Sequence, residues 1–248
     1  MAFTVVIPAR FASTRLPGKP LLDIAGKPML QHVYERALQS RAKAVYIATD
    51  DERVYSAAQA FTPHVCMTST SHQSGTDRIQ EVAGQLALAQ DEIIVNVQGD
   101  EPLIPPEAIN QVAQSLIDHP QAGIASLYEN IENDTEFHNP NIVKVVTDLA
   151  GYAHYFSRAP IPCHREGTGA GEVLGKRHIG IYAYRVATLN DYVTWPQVPL
   201  ELAERLEQLR AMGHGVRIHM QESCVKMPGG VDTPEDLEAV RTYLRSAV

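Results

Sequence analysis

The chain has 248 residues, 44% hydrophobic and 20% charged, which is enough for one well-filled globular core. Its formal net charge of -8 at pH 7 disfavours a nucleic-acid binder, which carries a broad basic face. No apolar run approaches the roughly 18 residues of a membrane span. The first residues lack a secretory leader's basic start and cleavage site, and Cys66, Cys163 and Cys224 have neither metal-type spacing nor an even count. A cytoplasmic protein without membrane insertion, nucleic-acid partner or disulfide framework is expected.

In chain order, residues 3–8 form an apolar run that reads as a buried strand, and it feeds a loop carrying Arg10, Arg15 and Lys19. Residues 28–40 follow with Met29, Val33 and Ala37 at helical spacing. Strands over 44–49, 64–68 and 92–97 then alternate with helices over 51–60, 75–88 and 105–117. That alternation predicts an α/β fold with a mostly parallel, doubly wound sheet. From about Gly123 the pattern changes. Residues 142–147 and 152–157 read as a hairpin turning at 148–151, 163–175 as a Gly-rich mobile loop, and 179–184 as a strand. A helix over 200–212 buries Leu202, Leu206 and Leu209; a strand over 215–219 and a closing helix over 234–245 complete the chain. One domain spanning 1–248 is expected, with an inserted β-rich lobe at about 123–200 that suits a sugar or a second copy.

The chemistry concentrates in three places. Arg10, Arg15 and Lys19 with Gly18 follow the first strand, where open α/β sheets bind ligands, and guanidinium forks with an ammonium suit a polyphosphate. The loop is neither a Walker A sequence nor a dinucleotide fingerprint. Asn96-Val97-Gln98-Gly99-Asp100-Glu101-Pro102 places a carboxylate just beyond the most hydrophobic strand, and Mg²⁺ takes one or two carboxylates with phosphate oxygens. Asp232 is the second candidate. It precedes a helix that Thr233 and Asp236 already cap, although an acid at a helix start is also explained by the dipole. Around Ser74 and Gly75, backbone N–H groups serve either a base and ribose or an ordinary cap. Arg158, Arg177 and His178 bring cations and donors to strands, as an acidic sugar requires, while His178 alone reads as structural. Glu201, Glu204, Glu207 and Gln208 also fit a solvated helix face, with Glu201 and Arg205 in i,i+4 orientation.

Taken together these segments resemble the 3-deoxy-manno-octulosonate (Kdo) cytidylyltransferases. The matching stretches are 7–21, Ala48-Thr49-Asp50, 72–78, 94–102, Tyr155-Phe156-Ser157-Arg158, 177–185, 206–210 and 231–237. The resemblance implies transfer of CMP from CTP to the anomeric hydroxyl of Kdo for lipopolysaccharide biosynthesis, with Mg²⁺ as cofactor and a homodimer as the assembly. It implies that Pro8, Ala9, Arg10, Arg15, Lys19, Ser74, Gly75 and Gln98 hold the nucleotide, and that Asp100 and Asp232 ligate Mg²⁺, with Arg10 and Lys19 catalytic beside them. Arg158, Arg165, His178, Tyr182, Glu207 and Gln208 would then face the sugar acid. Cys163-His164-Arg165 departs from the family's aromatic-Asp-Arg at this point. An 8-amino Kdo analogue, a sialic acid or a polyol phosphate are the alternative acceptors. A nucleotide-binding regulator without turnover is the rival outside the enzymes.

Overall fold

The computed structural model describes residues 2–12, 16–72, 74–167 and 173–246. Strand β1 (Phe3–Ala9) has Val5, Val6 and Ile7 wholly inaccessible, so it is buried on both faces as central parallel strands are. A 3-10 turn at Lys19–Leu21 and the two-residue strands β2 (Asp23–Ile24) and β3 (Lys27–Pro28) lead into α1 (Met29–Leu38). Next come β4 (Ala44–Thr49), α2 (Glu52–Gln59), β5 (Val65–Met67), α3 (Gly75–Gln85), β6 (Ile93–Asn96) and α4 (Pro106–Asp118). The predicted alternation is present throughout this half.

The second half contains β7 (Ile124–Ile131), α5 (Asp134–His138), β8 (Lys144–Thr147), β9 (Ala153–Ser157), β10 (Gly175–Arg185) and α6 (Val186–Tyr192). It closes with α7 (Pro199–Glu204), α8 (Gln208–Gly213), β11 (Ile218–Glu222) and α9 (Pro234–Ser246). Among the described residues the main sheet has the order β11-β7-β10-β6-β1-β4-β5. Every neighbouring pair in it is parallel except the two pairs that β10 makes with β6 and β7. Strand β7 escaped the sequence reading because Ser126, Tyr128 and Glu129 interrupt its apolar run. Within 123–200, β7 and β10 therefore lie in the main sheet, and β8 and β9 form the predicted hairpin off its path. No helix of the described residues is long and apolar enough to cross a membrane.

The helix expected over 200–212 is two helices, broken at Arg205, which has a left-handed φ of 56°. Arg158 is the cause. Its Nε donates to Glu204 O at 2.7 Å and its Nη2 to Arg205 O at 3.4 Å, taking carbonyls that a continuing helix needs. The Glu204 carboxylate meanwhile accepts from Ser157 Oγ at 2.6 Å, Arg158 N at 2.9 Å and Tyr155 OH at 3.2 Å. A left-handed residue costs about 1–2 kcal/mol, whereas each bond to a charged group contributes about 1.5–3 kcal/mol, so the break wins. Three expectations are thereby corrected. Leu202 is 49% exposed, Glu201 is buried and pairs with Arg210 at 2.6 Å rather than with Arg205, and Glu204 is clamped rather than solvated.

Two histidines are held neutral in the interior. Burial pushes His178 on β10 down to about 3, and burial together with the neighbouring His119 ring lowers His219 on β11. His219 Nε2 donates to Ala150 O at 3.2 Å, which leaves Nδ1 to accept from Ser115 Oγ at 2.8 Å. Below their ordinary value of 6.5 the unfolded chain binds these protons and the folded chain does not, so stability falls with falling pH. Urea unfolding should therefore show a midpoint that drops between pH 6.5 and pH 3, with a shallower slope for His219→Gln; an unchanged slope would contradict the buried neutral state.

Candidate active site

The site lies at the carboxyl edge of β1 and β6, where the doubly wound sheet presents its loops. A cavity of about 410 Å³ there is lined by Pro8, Ala9, Arg10, Lys19, Gly75, Gln98, Gly99, Asp100 and Asp232, among others. Gly99 is needed for this approach, because a Cβ at that position would lie 2.8 Å from Pro8 O. Gly18, with φ 68°, opens the 3-10 turn that carries Lys19 inward, and its N–H donates to Phe11 O at 3.2 Å. Phe11 is held in turn beneath the Arg53 guanidinium, 3.4 Å from its ring centroid.

Lys19 Nζ lies 2.7 Å from Asp100 Oδ2 and 3.0 Å from Asp232 Oδ1. Burial opposes the ammonium, yet the bonds and charges of Asp100 and Asp232 outweigh it and raise the Lys19 pKa above its ordinary 10.5. Asp232 is positioned as the cap arrangement predicts: Asp236 Oδ2 accepts from Asp232 N at 3.0 Å and from Thr233 N at 2.8 Å. Asp236 N returns a bond to Thr233 Oγ1 at 3.2 Å, so Asp232 is spared from capping. Burial and the adjacent Asp100 push the neighbouring Glu101 carboxyl up to about 8. Arg10 Nη2 is a buried donor with no hydrogen-bond partner among the described residues. Arg15 lies outside the described residues.

Ser74 and Asp77 form a reciprocal capping box on α3, with bonds of 3.1 and 3.0 Å. The box places Gly75, the first residue of α3, against Pro8, so the helix N-terminus faces the same cavity. Behind it Arg78, fully buried, donates to Asp50 at 2.6 Å and also to Thr68. Asp50 and Arg78 from the matched motifs are thus braces between β4 and α3.

Gly75 and Gln98 also line a second cavity of about 330 Å³, shared with Asn96, His178, Tyr182, Tyr184, Tyr192, Arg205, Glu207 and Gln208. Gln98 Nε2 donates to Gly180 O at 3.4 Å, at the junction of the two spaces. Strand β10 carries two extra residues opposite β7 between Ile179 and Tyr182. Residues four apart on a regular strand are separated by roughly 13 Å. Here the His178 and Tyr182 rings approach to 5.3 Å, so the irregularity brings both onto one wall. Ser126 Oγ lies 3.0 Å from Ile179 O and 2.8 Å from Ile181 O, and its one proton serves those carbonyls. It therefore accepts from His178 Nε2 at 3.1 Å, which fixes the neutral Nε2–H tautomer. Burial raises the Glu207 carboxyl above its ordinary value, and Thr76 Oγ1 donates to it at 3.3 Å.

Four of the six predicted sugar contacts, His178, Tyr182, Glu207 and Gln208, share this cavity. Arg158 and Arg165 are not among its lining residues. The Arg158 guanidinium is bonded to the carbonyls of Pro140, Glu204 and Arg205, and it shapes the corner that presents Arg205, Glu207 and Gln208. Arg165 is on an exposed turn. Asn96, Thr76, Tyr184, Tyr192 and Arg205 were not among the site residues expected from the sequence. Asn96 had a signal, being the one polar residue in the otherwise apolar stretch 93–97.

Comparison with known proteins identifies the family. The Cytidylyltransferase family matches residues 4–218. A 3-deoxy-manno-octulosonate cytidylyltransferase of Cellvibrio japonicus (strain Ueda107) is 60% identical over 98% of both chains. One from Vibrio vulnificus (strain YJ016) is 57% identical over 98% of both. The structure of a CMP:2-keto-3-deoxy-manno-octonic acid synthetase complexed with CTP superposes with a TM-score of 0.92 at 45% identity, covering 100% of each chain. A 4-diphosphocytidyl-2C-methyl-D-erythritol synthase, TM-score 0.64 at 15% identity, shares the fold. The chain belongs to the cytidylyltransferase family and, within it, to the 3-deoxy-manno-octulosonate cytidylyltransferases.

Proposed function

We propose that this chain transfers CMP from CTP to the anomeric hydroxyl of 3-deoxy-manno-octulosonate, releasing pyrophosphate. The observation that carries the reading is the pair of cavities meeting at Gly75 and Gln98, one lined by Arg10, Lys19 and two aspartates, the other by amide, hydroxyl and imidazole groups with Arg205 and Glu207 beside them. The first suits a triphosphate and the second a polyhydroxylated sugar acid. The barrier is mainly one of bringing two anions together, so the residues act by orientation and charge neutralisation. Arg10 and Lys19 offset charge that grows on the departing pyrophosphate. The α3 N-terminus at Ser74 and Gly75 holds the nucleotide against Pro8 and Ala9. His178, Tyr182, Glu207 and Gln208 orient the sugar for in-line attack on the α-phosphorus, with Arg158 supporting their corner.

Asp100 and Asp232 fit Mg²⁺. Both aspartates already converge on one cationic centre, Lys19 Nζ, within 3.0 Å. The described residues hold no cluster of three or more His, Cys, Asp or Glu groups able to bind a metal, so phosphate oxygens and water would complete its shell. When bound, Mg²⁺ would neutralise phosphate charge and polarise the α-phosphate. The homodimer and the lipopolysaccharide setting belong to the same reading.

Asp100→Asn and Asp232→Asn should each lower pyrophosphate release on the order of a thousandfold while leaving the melting curve intact; near-normal rates in either would sink the metal assignment. With CTP and Mg²⁺, Kdo should outperform its 8-amino analogue, a sialic acid and a polyol phosphate as acceptor. Preference for one of those would reassign the sugar, and tight CTP binding without pyrophosphate from any acceptor would favour a regulator.

A further inference from the structure

Two buried amide atoms of residues that line the sugar-side cavity, Asn96 Oδ1 and Gln208 Nε2, have no hydrogen-bond partner among the described residues. Both side chains line that cavity, and the residues are only 4% and 8% exposed. A buried polar atom without a partner is costly, and folds seldom keep one without a use. Nothing in the sheet requires an amide at Asn96. Its neighbours Ile93, Ile94, Val95 and Val97 are apolar and fully buried, and its place in the ladder is set by pairing with Val6 and Tyr182. An alanine or valine would serve the strand equally well. Position 96 also stands three residues before Gly99, at the end of β6 nearest the nucleotide cavity.

One orphan is an acceptor and the other a donor. A sugar hydroxyl offers both functions, whereas a carboxylate offers only acceptors. Resting on the reading above that the cavity takes the acceptor sugar, we propose that Asn96 is a further specificity-determining residue. Its Oδ1 accepts from a hydroxyl of the bound sugar, while Gln208 Nε2 donates to a sugar oxygen. This places recognition of the polyol directly on β6, the strand that also leads to Asp100, so sugar and metal carboxylate share one rigid support. It also predicts discrimination by absence: a sugar lacking that hydroxyl leaves Oδ1 buried and unpaired.

The test is a cycle between residue and hydroxyl. Steady-state pyrophosphate release is measured for the wild-type chain, Asn96→Ala and Asn96→Ser, with Kdo and with analogues each lacking a single hydroxyl. In both variants KM for Kdo should rise roughly tenfold or more while KM for CTP stays nearly constant. One deoxy analogue should lose roughly tenfold in kcat/KM with the wild type and almost nothing with Asn96→Ala. Thermal melting and CTP binding confirm folding, and Asn96→Ser carries the cycle if the alanine variant does not fold. An unchanged KM for Kdo in a folded variant, or a full penalty for every deoxy analogue in both backgrounds, would overturn the assignment. Absence of pyrophosphate from the wild type with CTP and Kdo would overturn the functional reading itself, and it is seen before any variant is made.

Discussion

One ammonium, Lys19 Nζ, joins three distant parts of the chain: the loop after β1, the turn after β6 and the entry to α9. Asp100 lies 81 residues from it and Asp232 lies 213. Two carboxylates so close to each other need a cation between them. Lys19 supplies that charge, and its raised pKa is the reciprocal sign of the same attraction. The contact is partly open to water, with Asp232 54% exposed, so its importance lies in placement more than in stability. A chain of net charge -8 that must admit a triphosphate needs its positive charge concentrated where the phosphates go.

The sugar side obeys a different rule. Its groups are mostly neutral and are placed by backbone irregularities rather than by ion pairs. The irregularity in β10 brings His178 against Tyr182, and the left-handed Arg205 turns Glu207 and Gln208 toward the same space. The Arg158 guanidinium holds that second irregularity by satisfying the Glu204 and Arg205 carbonyls that a straight helix would have used, while the Glu204 carboxylate accepts from Arg158 N. Among the described residues the two cavities share Gly75 and Gln98 alone, so the groups that line one are largely separate from those that line the other.

The first half of the fold was legible because each element carries its own period: β1, β4 and β6 as short apolar runs, α1, α3 and α4 as amphipathic stripes. The gathering of Arg10, Lys19 and Asp100 was legible because each follows a recognisable strand end, whereas Asp232 read equally as a partner of the helix dipole until the fold brought it to Lys19. What the sequence hid was non-local. The break at Arg205 depends on a guanidinium 47 residues away, which no helical period reveals. Arg158 fits a sugar contact in sequence because an arginine on a strand near other polar groups suits an acidic ligand, whereas in the structure three of its five donors go to backbone carbonyls. Asn96 stood in plain view, yet its meaning required knowing that Oδ1 has nothing to bond.

The central claim is that Asp100 and Asp232 form a single cation seat that Lys19 fills until nucleotide and metal arrive. The most direct measurement is a crystal structure of the chain with CTP and Mn²⁺, collected for the manganese anomalous signal. The account predicts an anomalous peak within bonding distance of both Asp100 and Asp232, with Lys19 Nζ turned from the carboxylates to the phosphates. A peak bound by neither aspartate, or Lys19 still bridging them beside bound CTP, would contradict it.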